Sequence, residues 1–218
     1  MDLKVSKNTA VVFDLDDTLY NELEYLKSAY RAIAQTLDPQ KWEMLYSKMF
    51  SLYRSQHNVF EFLSECYAIE TTELIDRYRN HIPDIQLFDG VLDVFKAIKQ
   101  NQGKIGVITD GRSLTQRVKL ERLGIYNDID KIVISEEIGT EKPCLANFKA
   151  LESALPHCSY CYIADNLKKD FIVPNVLGWK TIALVDNGKN IHYESHQCME
   201  AKYQPDHYII DFKQLTVV

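Results

Sequence analysis

Long apolar runs are missing from the sequence. No apolar run approaches the ~20 residues of a membrane span. Met1 to Thr9 is polar and mixed in charge, without the apolar stretch of a secretory leader, so the expected location is cytoplasmic. There are no repeats, low-complexity tracts or Gly/Ser-rich linkers. Positive charge is in deficit: 25 Lys and Arg against 31 Asp and Glu leave a net charge of −6, which argues against a nucleic-acid partner held by phosphate neutralisation. A small phosphorylated partner stays open, because a cation can supply the missing charge locally. The five cysteines (Cys66, Cys144, Cys158, Cys161, Cys198) are scattered and odd in number, which suits reduced thiols. Cys158 and Cys161 are spaced like a redox pair. However, Cys161 sits in the strand-like run Tyr160–Ala164 rather than opening a helix, and no second pair exists to complete a zinc site.

What is present is enough apolar residue, 46% of 218, to bury a sizeable core in one domain or one domain carrying a smaller insert. Apolar, β-prone runs recur at Ala10–Phe13, Ile105–Thr109, Lys131–Ser135, Tyr160–Ala164, Lys180–Val185 and Tyr208–Asp211. Between the later ones lie stretches of helical period: Asp93–Gln100, Ser113–Leu123 closed by Gly124, and Leu145–Leu155. This alternation predicts an α/β fold with a doubly wound, mostly parallel, Rossmann-like sheet. Tyr20 to about Phe88 breaks the pattern and reads as four helices, Glu22–Leu37, Pro39–Arg54, Val59–Tyr67 and Thr72–His81, with Asn58 and Thr71 as caps. The expected organisation is a core domain of residues 1–20 and 88–218 and an inserted all-helical domain of residues 21–87. Its tyrosines (Tyr25, Tyr30, Tyr46, Tyr53, Tyr67, Tyr78) are expected to serve in its core and in packing between the domains rather than as a base-stacking platform. The polar stretch Val185–Asp206 is expected to be a surface excursion before a last edge strand.

The first strand leads directly into Phe-Asp-Leu-Asp-Asp-Thr-Leu-Tyr, residues 13 to 20. Asp14 and Asp16 are two apart, so an extended backbone points both towards one side. Carboxylates held close repel unless a cation or a shared proton relieves them, which suggests a bound metal, a nucleophile beside an acid/base, or both. Asp17 reads as a turn or cap residue. Ligands of doubly wound sheets gather at the carboxyl ends of the strands. Thr109, Asp110 and Gly111 follow the second strand; Asp165, Asn166 and Asp170 follow the fourth. Glu141-Lys142-Pro143 lies between the third and fourth, with Pro143 placed to open a helix.

These segments resemble, in order, the four motifs of the haloacid dehalogenase (HAD) superfamily: Asp14-x-Asp16-x-Thr18, Thr109 at a strand end, Lys142 before Pro143, and Asp165-Asn166-x-x-x-Asp170, with Ala164 where a glycine is commoner. The resemblance implies Asp14 as nucleophile, Asp16 as acid/base, Thr109 and Lys142 as partners of the phosphoryl group, and Mg2+ held by Asp14, the Asp16 backbone carbonyl and Asp165, with Asp170 as ligand or just outside. The dehalogenase branch lacks the second carboxylate of the first motif. Asp16 therefore tips the expectation to a phosphatase acting on a small phosphorylated metabolite through an aspartyl-phosphate. A phosphomutase, a nucleotide-selective phosphatase or a non-catalytic binding protein of the same fold are the alternatives, the last opposed by the intact set. The helical insert resembles the family's first type of cap, a lid that sets specificity. Candidate substrate contacts are Asp110, Gly111, Asn21, Arg54 and His57. A monomer or homodimer is expected.

Overall fold

The computed structural model describes all 218 residues, which fall into two compact units: Met1–Glu22 with Gln86–Val218, and Leu23–Ile85. The larger unit contains β1 (Asp2–Leu3), β2 (Thr9–Phe13), α5 (Val91–Gln100), β3 (Lys104–Thr109), α6 (Ser113–Arg122), β4 (Lys131–Ile134), α7 (Ser135–Ile138), α8 (Leu145–Ala154), β5 (Ser159–Ala164), α9 (Ile172–Val176), β6 (Lys180–Leu184), β7 (His207–Ile209) and β8 (Thr216–Val217). Six strands form one parallel sheet in the order β4-β3-β2-β5-β6-β7. This is the α/β doubly wound sheet the alternation predicts. All five residues of β2 are buried, as a central strand covered on both faces requires. The core on one face gathers Ala10, Val12, Ile108, Phe148, Leu151, Tyr162 and Trp179. Gly106 lets that layer close up, since a Cβ there would lie 2.7 Å from Leu151 Cδ1 of α8.

The smaller unit is helical: α1 (Glu22–Leu37, whose first residue belongs to the larger unit), α2 (Trp42–Arg54), α3 (Val59–Tyr67) and α4 (Thr71–Asn80). In α1 the buried residues Leu26, Ala29, Tyr30, Ile33 and Ala34 recur at the three- and four-residue spacing of an amphipathic helix. Leu26, Tyr30, Ile33 and Ala34 pack with Met49, Leu63 and Leu74. Tyr30, Tyr53, Phe60 and Tyr78 meet edge to face within the same unit, the packing role foreseen for the tyrosines.

Three local expectations differ, and one pairing had no expectation. Asn58 caps α3, accepting from the Phe60 and Glu61 amides, but Thr71 is already inside α4 and Glu70 occupies its cap position without a side-chain bond. Helix α2 starts at Trp42, because residues 38–41 form a turn in which Asp38 Oδ1 accepts the Lys41 amide. Pro143 lies in a turn, and α8 begins two residues later. The two-residue ribbon β1–β8, which pairs the chain ends, was beyond any periodicity signal. No helix is long and apolar enough to cross a membrane. All five cysteines are free, with Cys161 buried in β5 and Cys158 partly exposed.

Candidate active site

The strand order decides which side chains can meet. β2 is central, β3 lies on one side and β5 on the other, so the chain leaves β2 in both directions and a crevice opens beyond the carboxyl ends of these three strands. Asp14 extends β2 by one more bond, its amide donating to Ile163 O at 3.0 Å, which fixes its carboxylate at the mouth. Thr109 ends β3 and Asp165 follows β5. A pocket of about 250 Å³ here is lined by Asp14, Asp16, Thr109, Asp110, Gly111 and Asp165, together with Asp17, Glu22, Glu141, Asn166, Lys169 and His192.

Lys142 is the hub of the charge pattern. Its side chain is 1% exposed, and its Nζ stands 2.6 Å from Asp14 Oδ1 and 2.8 Å from Asp170 Oδ1. Tyr162 donates its hydroxyl to Asp170 Oδ1 at 3.2 Å, and the Asn166 amide donates to Asp170 Oδ2 at 3.1 Å. Both oxygens of Asp170 are thus engaged within the protein. Asp14, Asp165 and Asp170 each present a ligand atom within 4.8 Å of the others. Burial pushes the Asp14 carboxyl up to about 7, with Lys142 pulling down and Asp170 pushing up further. Asp165 is driven well above the usual carboxylate range by burial and by its neighbours Asp14 and Asp170. Burial and the two carboxylates act oppositely on Lys142, and the carboxylates win, holding its ammonium charged.

Asp16 lies in a different environment. Its carboxylate receives Lys119 Nζ at 2.7 Å, Gln116 Nε2 at 2.8 Å and the Tyr20 hydroxyl. Burial alone would raise its pKa, but Lys119 and these bonds outweigh burial and leave it below the ordinary value. Asp17 takes a left-handed φ of 56°, which aspartate tolerates, and accepts the Glu22 amide at the start of α1 and the Ile191 amide. It serves as the expected cap while also lining the pocket.

The structure therefore brings together Asp14, Asp16, Thr109, Asp110, Gly111, Lys142, Asp165 and Asp170. It does not place Asn21 on the pocket: its buried amide is engaged with Asn187, each donating to the other at 3.2 Å. Arg54 and His57 are exposed in the smaller unit, at the end of α2 and in the turn after it.

Sequence reasoning missed Lys119, Gln116, Lys169, Asn190 and His192, while Glu22, a candidate because it directly follows the first motif, does line the pocket. Lys169 pairs with Asp110 at 2.9 Å. Asn190 donates to Asp165 Oδ2 at 2.9 Å, and Thr18 donates to Oδ1 at 3.2 Å. The start of the Val185–Asp206 stretch is thus part of the site rather than a plain excursion. Asp186 turns it inward by accepting the Gly188 and Asn190 amides, a turn signal that Asp-Asn-Gly does carry.

A family model of the haloacid dehalogenase-like hydrolases matches residues 11–183, the stretch that holds this pocket apart from His192, and the chain belongs to that family. Its curated relatives are phosphatases. A glyceraldehyde 3-phosphate phosphatase of Methanocaldococcus jannaschii is 28% identical over 80% of this chain and 84% of its own. The pyrimidine 5'-nucleotidase YjjG of Escherichia coli is 31% identical over 66% and 69%. A HAD phosphatase from Thermococcus onnurineus shares the fold, with a TM-score of 0.59 at 19% identity over 94% of this chain and 95% of the other.

Proposed function

We propose that this hydrolase is a magnesium-dependent phosphatase of a small phosphomonoester, working through an aspartyl-phosphate on Asp14. The observation that carries the reading is the division of labour between two carboxylates two residues apart. Asp14 stands with Asp165 beside a buried lysine, while Asp16 is held by separate donors on the other side. The relatives' names, glyceraldehyde 3-phosphate phosphatase and pyrimidine 5'-nucleotidase, support a small ester.

The donor set fits Mg2+. Hard carboxylate oxygens are its preferred protein ligands, it uses few of them, and buried acids crowded by like charge are those a divalent cation relieves. Asp14 and Asp165 would hold it with the Asp16 carbonyl, while Asp170, engaged by Lys142 and the Asn166 amide, supports from outside. The ion would screen the phosphate's charge from the attacking carboxylate. An Asp14 oxygen attacks phosphorus, and the ester P–O bond breaks. As a dianionic ester arrives beside it, Asp16 gains proton affinity and binds a proton from solvent, and it passes this proton to the departing oxygen. Water then attacks the same phosphorus, returns a proton to Asp16 and releases phosphate and free Asp14. Thr109 and Lys142 supply a hydroxyl and a charge to the phosphoryl oxygens.

A screen over sugar phosphates, nucleotides and short-chain acid phosphates tests this. Phosphate release with Mg2+ that stops on chelation is the expected result; no release from any ester overturns the reading. A second check needs no turnover. Burial pushes the Asp14 carboxyl up to about 7 from its ordinary 3.8, so between those values the folded state holds a proton the unfolded chain has released. Stability from this group is therefore present at low pH and lost as pH rises between those values. A cation competes with that proton. The gain in Tm on adding Mg2+ should be larger at about pH 8 than at about pH 5.5. Equal gains at both would place the ion elsewhere.

A further inference from the structure

Helix α6 buries polar side chains where a helix on a sheet normally buries apolar ones. Gln116 and Lys119 are three residues apart, hence on one face, and are only 2% and 4% exposed. A buried ion pair adds little net stability compared with apolar packing of the same volume, so the fold alone does not call for this pair.

The geometry shows where the two side chains are directed. Lys119 Nζ reaches Asp16 Oδ1 at 2.7 Å and stands 5.9 Å from the centre of the Tyr20 ring. Tyr20 donates to the same carboxylate. The Gln116 amide has two N–H donors and divides them, one to Asp16 Oδ2 at 2.8 Å and one to Thr109 Oγ1 at 2.5 Å. One side chain thereby sets the spacing between the carboxylate and the hydroxyl. Gly111 makes room for it: its φ is +128°, and a Cβ there would lie 3.3 Å from Gln116 Cδ.

We propose that Lys119 and Gln116 are positioning residues of the reaction, a clamp from α6 that holds the Asp16 carboxylate at the leaving-group side and fixes its distance from Thr109. This rests on the phosphatase reading above and goes beyond it. A carboxylate with a freely rotating side chain spends part of its time away from the departing oxygen. Loss of the clamp therefore penalises esters that need a proton delivered and spares those that do not.

The test measures kcat and KM for an alkyl phosphate and for para-nitrophenyl phosphate, whose leaving group needs no proton. Lys119→Met should lower kcat about 100-fold on the alkyl ester and less than about tenfold on the aryl ester, with KM near that of the wild type. Lys119→Arg should recover part of the alkyl activity, and Asp16→Ala should show the same selectivity. Gln116→Met, close in volume and in need of no partner, should lean the same way and carries the test if Lys119→Met does not fold. Equal losses on both esters in folded variants, or no loss, overturn the assignment while leaving the hydrolase reading intact. A wild type silent on both esters overturns that reading, and the clamp with it.

Discussion

Asp14→Asn is expected to reduce turnover of para-nitrophenyl phosphate by at least about four orders of magnitude, the scale seen when a covalent nucleophile is removed. The same variant should melt at or above the wild-type temperature at about pH 8. The two halves have one cause. Asp14 is buried against Asp170 and Asp165, and its carboxyl is pushed up to about 7, so its ionisation works against folding. The amide keeps the shape and still accepts a bond from Lys142 Nζ, which stands 2.6 Å from Oδ1, but it carries no charge to be repelled. Positions where function opposes stability behave this way. Circular dichroism, a melting curve and a phosphate-release assay on one preparation check all of it. Wild-type-like turnover would falsify Asp14 as nucleophile.

How much of this was legible in the chain depends on the range of the signal. Helix and strand identities came from local periodicity, and Glu22–Leu37 and Val59–Tyr67 match the observed helices end to end. Short elements escaped. Ser135–Ile138 and Ile172–Val176 are too brief to show a period, and β1 and β8 exist only because each pairs with the other across the whole chain.

The site divides along the same line. Asp14, Thr109 and Asp165 each follow a buried strand, and the parallel sheet alone is enough to bring strand ends together. Lys119 and Gln116 could have been found by noticing polar residues on the face of α6 that also carries Leu120, with Leu123 just past its end. Asn190 could not. Its contact with Asp165 spans 25 residues and depends on a turn at Asp186 whose direction no local pattern specifies.

Lys142→Met is expected to damage the protein as well as the reaction. The lysine Nζ is shared by Asp14 at 2.6 Å, Asp170 at 2.8 Å and the Tyr162 hydroxyl at 3.3 Å. Asp170 is fully buried. Methionine fills the space but strands that carboxylate, and breaking a buried pair from one side costs about 3–5 kcal/mol. For a chain of this size that is a fall in Tm of roughly 10 °C. The loss should depend on pH in a definite direction. Without the ammonium that pulls it down, the Asp14 carboxyl, already pushed up to about 7 by burial, binds its proton more tightly still when folded, so stability is kept at low pH and lost as pH rises. The gap between variant and wild type should therefore be small at about pH 5 and widest at about pH 8. A double variant, Lys142→Met with Asp170→Asn, removes the stranded charge and should regain much of the Tm while staying inactive. If the double variant melts no higher than the single one, the cost lies in packing, and the buried ion pair is not what Lys142 contributes to the fold.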